Sequence, residues 1–176
     1  VEGDWVVAIH PQNGATAFNK SAAGSAVTLN EANSDLDSDN PTGIAIHNGV
    51  AYIGTADDGL NRYIIANDTF LGSWVSTGIN DVNFAPLAIL GTNPQVLHMG
   101  LPGYGVARKD LSSGEILIPL TVEPNRPNPS ATEILPSNQV YALEANTGNS
   151  GLFIGTSDGA IYWDGNSASE LSRGNS

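Results

Sequence analysis

The sequence contains no cysteine and a single methionine. No disulfide can staple its fold, and thiol nucleophiles and thiolate metal ligands are excluded. Basic residues are scarce: six Lys and Arg stand against eighteen Asp and Glu, a formal charge of −12. Nucleic acid or an anionic membrane surface would be repelled, so neither is expected as a partner. Apolar runs are short as well. None approaches the roughly 18 residues of a membrane-spanning helix, so membrane insertion is not expected. What the chain does have is turns: twenty glycines and ten prolines in 176 residues, the balance of an all-β protein.

Residues 52–63, YIGTADDGLNRY, show how those turns are used. A short apolar strand ends in Gly-Thr, an Asp-Asp-Gly turn follows, and a second strand runs back. The same hairpin returns as LHMGLPGYGVAR at 97–108 and LFIGTSDGAIYW at 152–163, with Gly54, Gly100 and Gly155, then Gly59, Gly105 and Gly159, in register. Asp58-Gly59 and Asp158-Gly159 put a glycine where a tight hairpin needs positive φ. The glycines inside the first strand call for a close neighbour over the backbone, expected to be the adjacent sheet.

Each hairpin is preceded by an apolar-Ala-apolar type of triplet, Ile44-Ala45-Ile46, Leu87-Ala88-Ile89 or Tyr141-Ala142-Leu143, and followed by a polar turn and a fourth strand. Four strands recurring with a period of about 46 residues predict β-propeller blades, each a four-stranded antiparallel sheet that buries its faces only by stacking on neighbours. On this reading 1–19 is a half blade, entered midway because Glu2-Gly3 aligns with Asp58-Gly59, so that 5–9 is a third strand and 15–18 a fourth. An inserted loop spans 20–42, blades span 43–76, 86–120 and 140–172, and 121–139 is a Pro-rich loop with four prolines. The whole is a single propeller-like region of about three and a half repeats, a small or partial propeller. An irregular strand near Val27 would help to complete a small ring; unfinished blade edges otherwise invite self-association.

LFIGTSDGAIYWDG and YIGTADDGLNRY resemble the repeat of two-component-regulator-type propellers, found in periplasmic sensor regions and other exported proteins. VVAIHPQNGATAF and DLSSGEILIPL are similar to the strand C to strand D segment of quinoprotein-type repeats. The resemblance covers nearly the whole chain and implies a propeller fold and an extracellular, periplasmic or cell-surface setting. It specifies a fold and not an activity. The adjacent cysteine pair often seen in quinoproteins is missing, and no set of cofactor ligands stands out.

Asp35, Asp37 and Asp39, in DLDSDN, alternate as the first oxygen ligands of a calcium loop do. An EF-hand would have glycine where Asn40 stands and glutamate where Ile46 stands, so calcium would need another geometry. Tyr104, in the irregular LPGYG turn, occupies a position held by Asp58 and Asp158 in the other hairpins and is the candidate ligand contact. His10, His47 and His98 share no metal-ligand spacing; His98 stands where Tyr52 and Phe153 stand and is expected to pack on a strand face. Carboxylates for glycoside hydrolysis could come from Asp57, Asp58, Asp158, Asp164 and Glu144, but their separation decides such a role. No complete catalytic constellation emerges. The function expected is a non-catalytic binding or scaffold module of an exported or cell-surface protein, recognising a protein or carbohydrate through its loops. The alternatives are a sensory ligand-binding propeller, a carbohydrate-active propeller enzyme and a structural subunit of a surface assembly.

Overall fold

The computed structural model describes residues 3–22, 25–56, 59–73, 87–90, 95–121, 134–146 and 151–171. The Asp57-Asp58 turn, Trp74, the interior of the Pro-rich loop and Ser172 lie outside the described residues. Two compact units divide the chain, Val1–Ala85 and Pro86–Ser176, where composition suggests one region.

The first unit holds β1 (Trp5–His10), β2 (Gly14–Asn19) and β3 (Ala26–Leu29), then β4 (Pro41–His47), β5 (Val50–Thr55), β6 (Leu60–Ile64) and β7 (Thr69–Ser73). The second holds β8 (Leu87–Leu90), β9 (Val96–Leu101), β10 (Gly105–Asp110) and β11 (Ile116–Leu120), then β12 (Val140–Ala145), β13 (Leu152–Thr156), β14 (Gly159–Trp163) and β15 (Ala168–Glu170). Strands consecutive in the chain pair antiparallel within four sheets, β1–β3, β4–β7, β8–β11 and β12–β15. The only helix among the described residues is one 3-10 turn, Ile65–Asn67. The protein is all-β and propeller-like, as the repeat predicts.

Two expectations change. The stretch 20–42 is not wholly a loop, because β3 forms within it and β4 begins at Pro41. The opening strands also shift by one place in the repeat. Lys20 N–H donates to Asp4 O at 2.8 Å, Ile65 N–H to Gly49 O at 3.0 Å and Leu111 N–H to Gln95 O at 2.8 Å. These bonds close the same end of three hairpins, so β1, β5 and β9 are equivalent, and so are β2, β6 and β10. The first sheet therefore contains second, third and fourth strands. Gly3 (φ 55°) sits at the turn ahead of β1, as Asn48 (φ 50°) sits ahead of β5. Positive φ is demanded at both kinds of turn, so glycine marks a turn without saying which one.

Each unit has its own core. Val7, Ala15, Ala17 and Leu29 of the first sheet pack with Ala51, Ile53 and Tyr63 of the second. In the other unit Ala88, Val106 and Leu120 pack with Leu143, Leu152, Ile154, Ile161 and Trp163. The loop joining the two sheets of each unit is anchored by one leucine, Leu36 or Leu135, buried in that core and contributing about 2 kcal/mol of apolar burial. Gly155 is approached from within its own sheet rather than by a neighbouring one: a Cβ there would meet the Cβ of its cross-strand partner Ala142 at 3.3 Å.

Candidate functional site

Proline and glycine set the conformation of the corner that carries Tyr104. Pro102 and Gly103 (φ 83°) are the central residues of a type II turn, closed by Tyr104 N–H donating to Leu101 O at 2.9 Å. Gly105 follows at φ 86°. The turn is then pinned from outside: Gly103 N–H and Gly105 N–H both donate to Asn138 O, at 3.0 and 3.1 Å. Asn138 belongs to the loop anchored by Leu135, and that loop is tied onward to the next hairpin. Ser157 N–H donates to Gln139 O at 3.0 Å, and Ser157 Oγ–H to Ser137 Oγ at 2.7 Å. Tyr104, 60% exposed, thus shares one rigid corner with the exposed side chains of Gln139, Ser157 and Asp158. A corner whose hydrogen-bonded segments carry an aromatic ring, an amide, a hydroxyl and a carboxylate suits a ligand that is apolar on one side and hydrogen-bonding on the other.

The first unit builds the same corner. Asn13 N–H donates to His10 O at 3.0 Å, with Gln12 at φ 65° and Gly14 at φ 74°. Gly14 N–H donates to Asp39 O and Ala56 N–H to Asn40 O, both at 3.0 Å. Ser38 Oγ accepts from Asn40 N–H at 3.1 Å, as Ser137 Oγ accepts from Gln139 N–H at 3.1 Å. The backbone is repeated while the outward side chains differ: Asn13 takes the place of Tyr104, and Ala56 that of Ser157.

This corner also explains DLDSDN. Along this bent segment burial alternates: Leu36 and Ser38 are buried while Asp35 and Asp37 are exposed. Asp39 Oδ1 accepts from Glu31 N–H, and Glu31 Oε1 accepts from Asp39 N–H, both at 2.8 Å. Asp37 N–H donates to Asn61 Oδ1 at 3.4 Å. Among the described residues no three acidic or histidine side chains gather as a metal ion would need, so the three aspartates are not brought together.

Residues 155–159, Gly-Thr-Ser-Asp-Gly, spell the Gly-x-Ser-x-Gly pattern of a nucleophile elbow. An elbow leads from a strand into a helix, whereas Ser157 lies in the turn between β13 and β14 with its hydroxyl on Ser137. Asp158 and Asp164 flank β14 at opposite ends, about 20 Å apart along the strand and beyond the separation of any glycosidase pair. Asp164 is moreover engaged by Ser167 N–H at 2.7 Å and Asn166 N–H at 2.8 Å, which hold its carboxyl below the usual range. Glu144 is on an exposed sheet face, and Asp57 and Asp58 lie outside the described residues. An open groove of about 320 Å³, lined by Ile134, Leu135, Pro136, Ile161, Ala168 and Glu170, contains none of these carboxylates.

A second polar cluster, buried between the two sheets of the second unit, was not apparent from sequence spacing. His98 and Arg108 are cross-strand partners on β9 and β10. The His98 ring, 1% exposed, meets the Trp163 ring edge-on at 5.8 Å, and the Arg108 guanidinium stacks 4.7 Å above the same indole. His98 Nδ1–H donates to Val96 O at 3.1 Å. That bond leaves Nε2 as the unprotonated nitrogen, buried and without a hydrogen-bond partner. Burial, and next the Arg108 charge, push the His98 pKa down to about 3. The imidazole is closed to solvent while Arg108 is half-buried beside it, and the chemistry of the group is that of packing.

Comparison with known proteins gives a fold and no family. No family model and no curated sequence matches the chain. Among solved structures it is similar to the extracellular domain of the hybrid two-component system BT3049 from B. thetaiotaomicron, with TM-score 0.69 and 15% identity over 97% of this chain and 22% of that one. It is similar to PorZ, a bacterial surface component of the type-IX secretion system of Porphyromonas gingivalis, with TM-score 0.62 and 20% identity over 93% of this chain and 24% of that one. It is also similar to the computationally designed Ika8 protein, with TM-score 0.63 and 16% identity over 98% of this chain and 46% of that one. The chain spans about a quarter or less of the two natural proteins and under half of the designed one. At these identities the likeness is one of fold.

Proposed function

We propose that this chain is a non-catalytic recognition module of an exported or cell-surface protein, and that it makes contact through the corner of Tyr104, Gln139, Ser157 and Asp158. The observation that carries the reading is the twice-built corner: one backbone, pinned by the same hydrogen bonds on Asp39 O and Asn138 O, presents different outward side chains. A rigid frame with variable tips is how a scaffold changes its ligand without changing its fold. The extracellular and surface proteins with which the chain shares its fold support the location. The ligand is a carbohydrate or a protein segment, and in a sensory protein the same corner would receive the signal molecule.

Tyr104 anchors no core, so Tyr104→Ala should leave the melting temperature within about 2 °C of wild type, as exposed substitutions do. In a screen of soluble oligosaccharides and peptides, affinity for the compounds bound should drop at least about tenfold, the usual effect of removing a contacting aromatic. Binding that survives both Tyr104→Ala and Asp158→Asn would place recognition elsewhere. A calcium role for Asp35, Asp37 and Asp39 is a separate proposal. It requires Asp39 to give up the Glu31 N–H, and it predicts that calcium at about 1 mM raises the melting temperature of wild type but not of Asp39→Asn.

A further inference from the structure

Antiparallel register assigns each side chain to one face of its sheet, and the four sheets can be aligned row by row. In the first sheet the row Val7–Ala17 lies on the face packed against the second sheet. In the third, the row Ala88–His98–Arg108 lies on the face packed against the fourth. The same row in the second sheet is Ala45–Tyr52–Arg62, and Tyr52 is only 8% exposed. This is the forward face of each sheet. In the fourth sheet the row is Glu144–Phe153–Tyr162, on the side opposite Leu143, Ile154 and Ile161. Here the forward face is bare: Phe153 is 39% exposed, and Ala142, Glu144 and Ser169 are exposed around it.

The reverse face is the one on which the second sheet receives the first, through Ala51, Ile53 and Tyr63, and the fourth receives the third, through Leu143, Ile154 and Ile161. In the first sheet the reverse face carries the rows Val6–Phe18–Ala26 and Ala8–Thr16–Thr28. It is uncovered as well, with Phe18 37% exposed and Ala26 and Thr28 exposed. Among the described residues, one chain therefore offers one exposed forward face and one exposed reverse face.

We propose that the Phe153 face of one chain docks on the Phe18 face of a second copy. Such a contact continues the forward-on-reverse stacking that already forms the core of both units. The two faces also differ in relief. Phe153 and Tyr162 form a tilted aromatic pair with centroids 5.0 Å apart, while Val6, Ala8 and Ala26 are small side chains around the single ring of Phe18 and leave room for them. Exposed apolar sheet faces of this kind mark an interaction surface. Because the two faces are unlike, the contact is heterologous, each copy contributing a different patch.

Light scattering on the whole 176-residue chain, at concentrations up to about 100 μM and so above the micromolar Kd of a weak standard-sized interface, tests this. The expected mass is at least twice the single-chain 18.2 kDa. Phe153→Lys and Phe18→Lys should each bring it down, with the β circular dichroism kept. Ser169→Lys, at an exposed position on the same face as Phe153, gives the same loss without removing a packed ring. The decisive step is mixing. Phe153→Lys keeps the reverse face and Phe18→Lys keeps the forward face, so their equimolar mixture should form a two-chain species that neither variant forms by itself. A wild-type mass of one chain overturns the proposal, and so does association that survives both substitutions or a mixture that does not recover it.

Discussion

Replacing Gly105 with alanine should lower the stability of the second unit by about 3 kcal/mol. Two separate effects add. The backbone at φ 86° is the left-handed region, where a Cβ costs about 1–2 kcal/mol. The new Cβ would also fall on the carbonyl oxygen of Leu120 and close to Asn138 Oδ1. Leu120 is in β11, directly across from Val106, so the clash can be relieved only by moving the outer strand, an overpacking cost of about 1–3 kcal/mol. Gly114 separates the two terms: it too has positive φ, 77°, but a Cβ there meets nothing within 4 Å. Gly114→Ala should therefore cost only the conformational part, about 1–2 kcal/mol. Gly14→Ala should reproduce the larger loss in the first unit, because its Cβ would fall on Leu29 O. Urea midpoints of the three variants measure the difference, and a Gly105→Ala chain as stable as Gly114→Ala would mean that β11 does not pass close to the corner. Since Gly105 also fixes Tyr104, the same substitution should weaken whatever that corner binds.

The repeat could be read from residue order because turn chemistry and strand alternation are local. Asp158-Gly159 and the alternating run 152–156 suffice to specify a hairpin without knowledge of what packs on it, and His98 could be placed with Tyr52 and Phe153 by register. What was lost lies where local signals are degenerate. Gly3 looks like the glycine of a second-to-third-strand turn because every turn of positive φ favours the same residue; only hydrogen bonds such as Lys20 N–H to Asp4 O show which turn it serves. β3 is legible in the sequence only as an irregular strand near Val27, because an edge strand with Leu29 its only fully buried side chain needs little hydrophobicity. The alternating aspartates do not separate an ion site from a packing pattern, since Leu36 and Ser38 between them are buried. The corner itself was half visible. Tyr104 stood out as an aromatic in a turn, but its neighbours Gln139 and Ser157 are brought there by backbone bonds to Asn138 and from Ser157, between segments far apart in the chain.

His98 should make this protein acid-sensitive well above the range in which carboxylates titrate. In the unfolded chain its imidazole takes a proton near the ordinary value of 6.5, whereas in the folded state burial and the Arg108 charge hold it neutral until about pH 3. Between those limits the unfolded state binds the extra proton, so stability is fully present above about pH 6.5 and is lost as pH falls toward 3. The slope from this one group reaches about 1.4 kcal/mol per pH unit. Asp110 and Asp164 also have lowered values, through hydrogen bonds from Ser112 and Ser113 and from Ser167 and Asn166, but their effect sets in only as pH falls through the ordinary carboxylate value of 3.8. The interval from pH 6.5 down to about 4.5 thus isolates the histidine from them. Phenylalanine already occupies the equivalent position at 153, and His98→Phe should keep the edge contact with Trp163 while removing the titration. Its stability at pH 7 should stay within about 1.5 kcal/mol of wild type, and its urea midpoint should lose the His98 share of the slope. Arg108→Gln should raise the His98 pKa but leave it below 6.5, because burial is the larger cause. A wild-type midpoint that is flat over this interval, or a His98→Phe chain that falls in parallel with it, would mean that the imidazole is reached by water and that the two sheets do not close over Trp163 as tightly as the packing indicates.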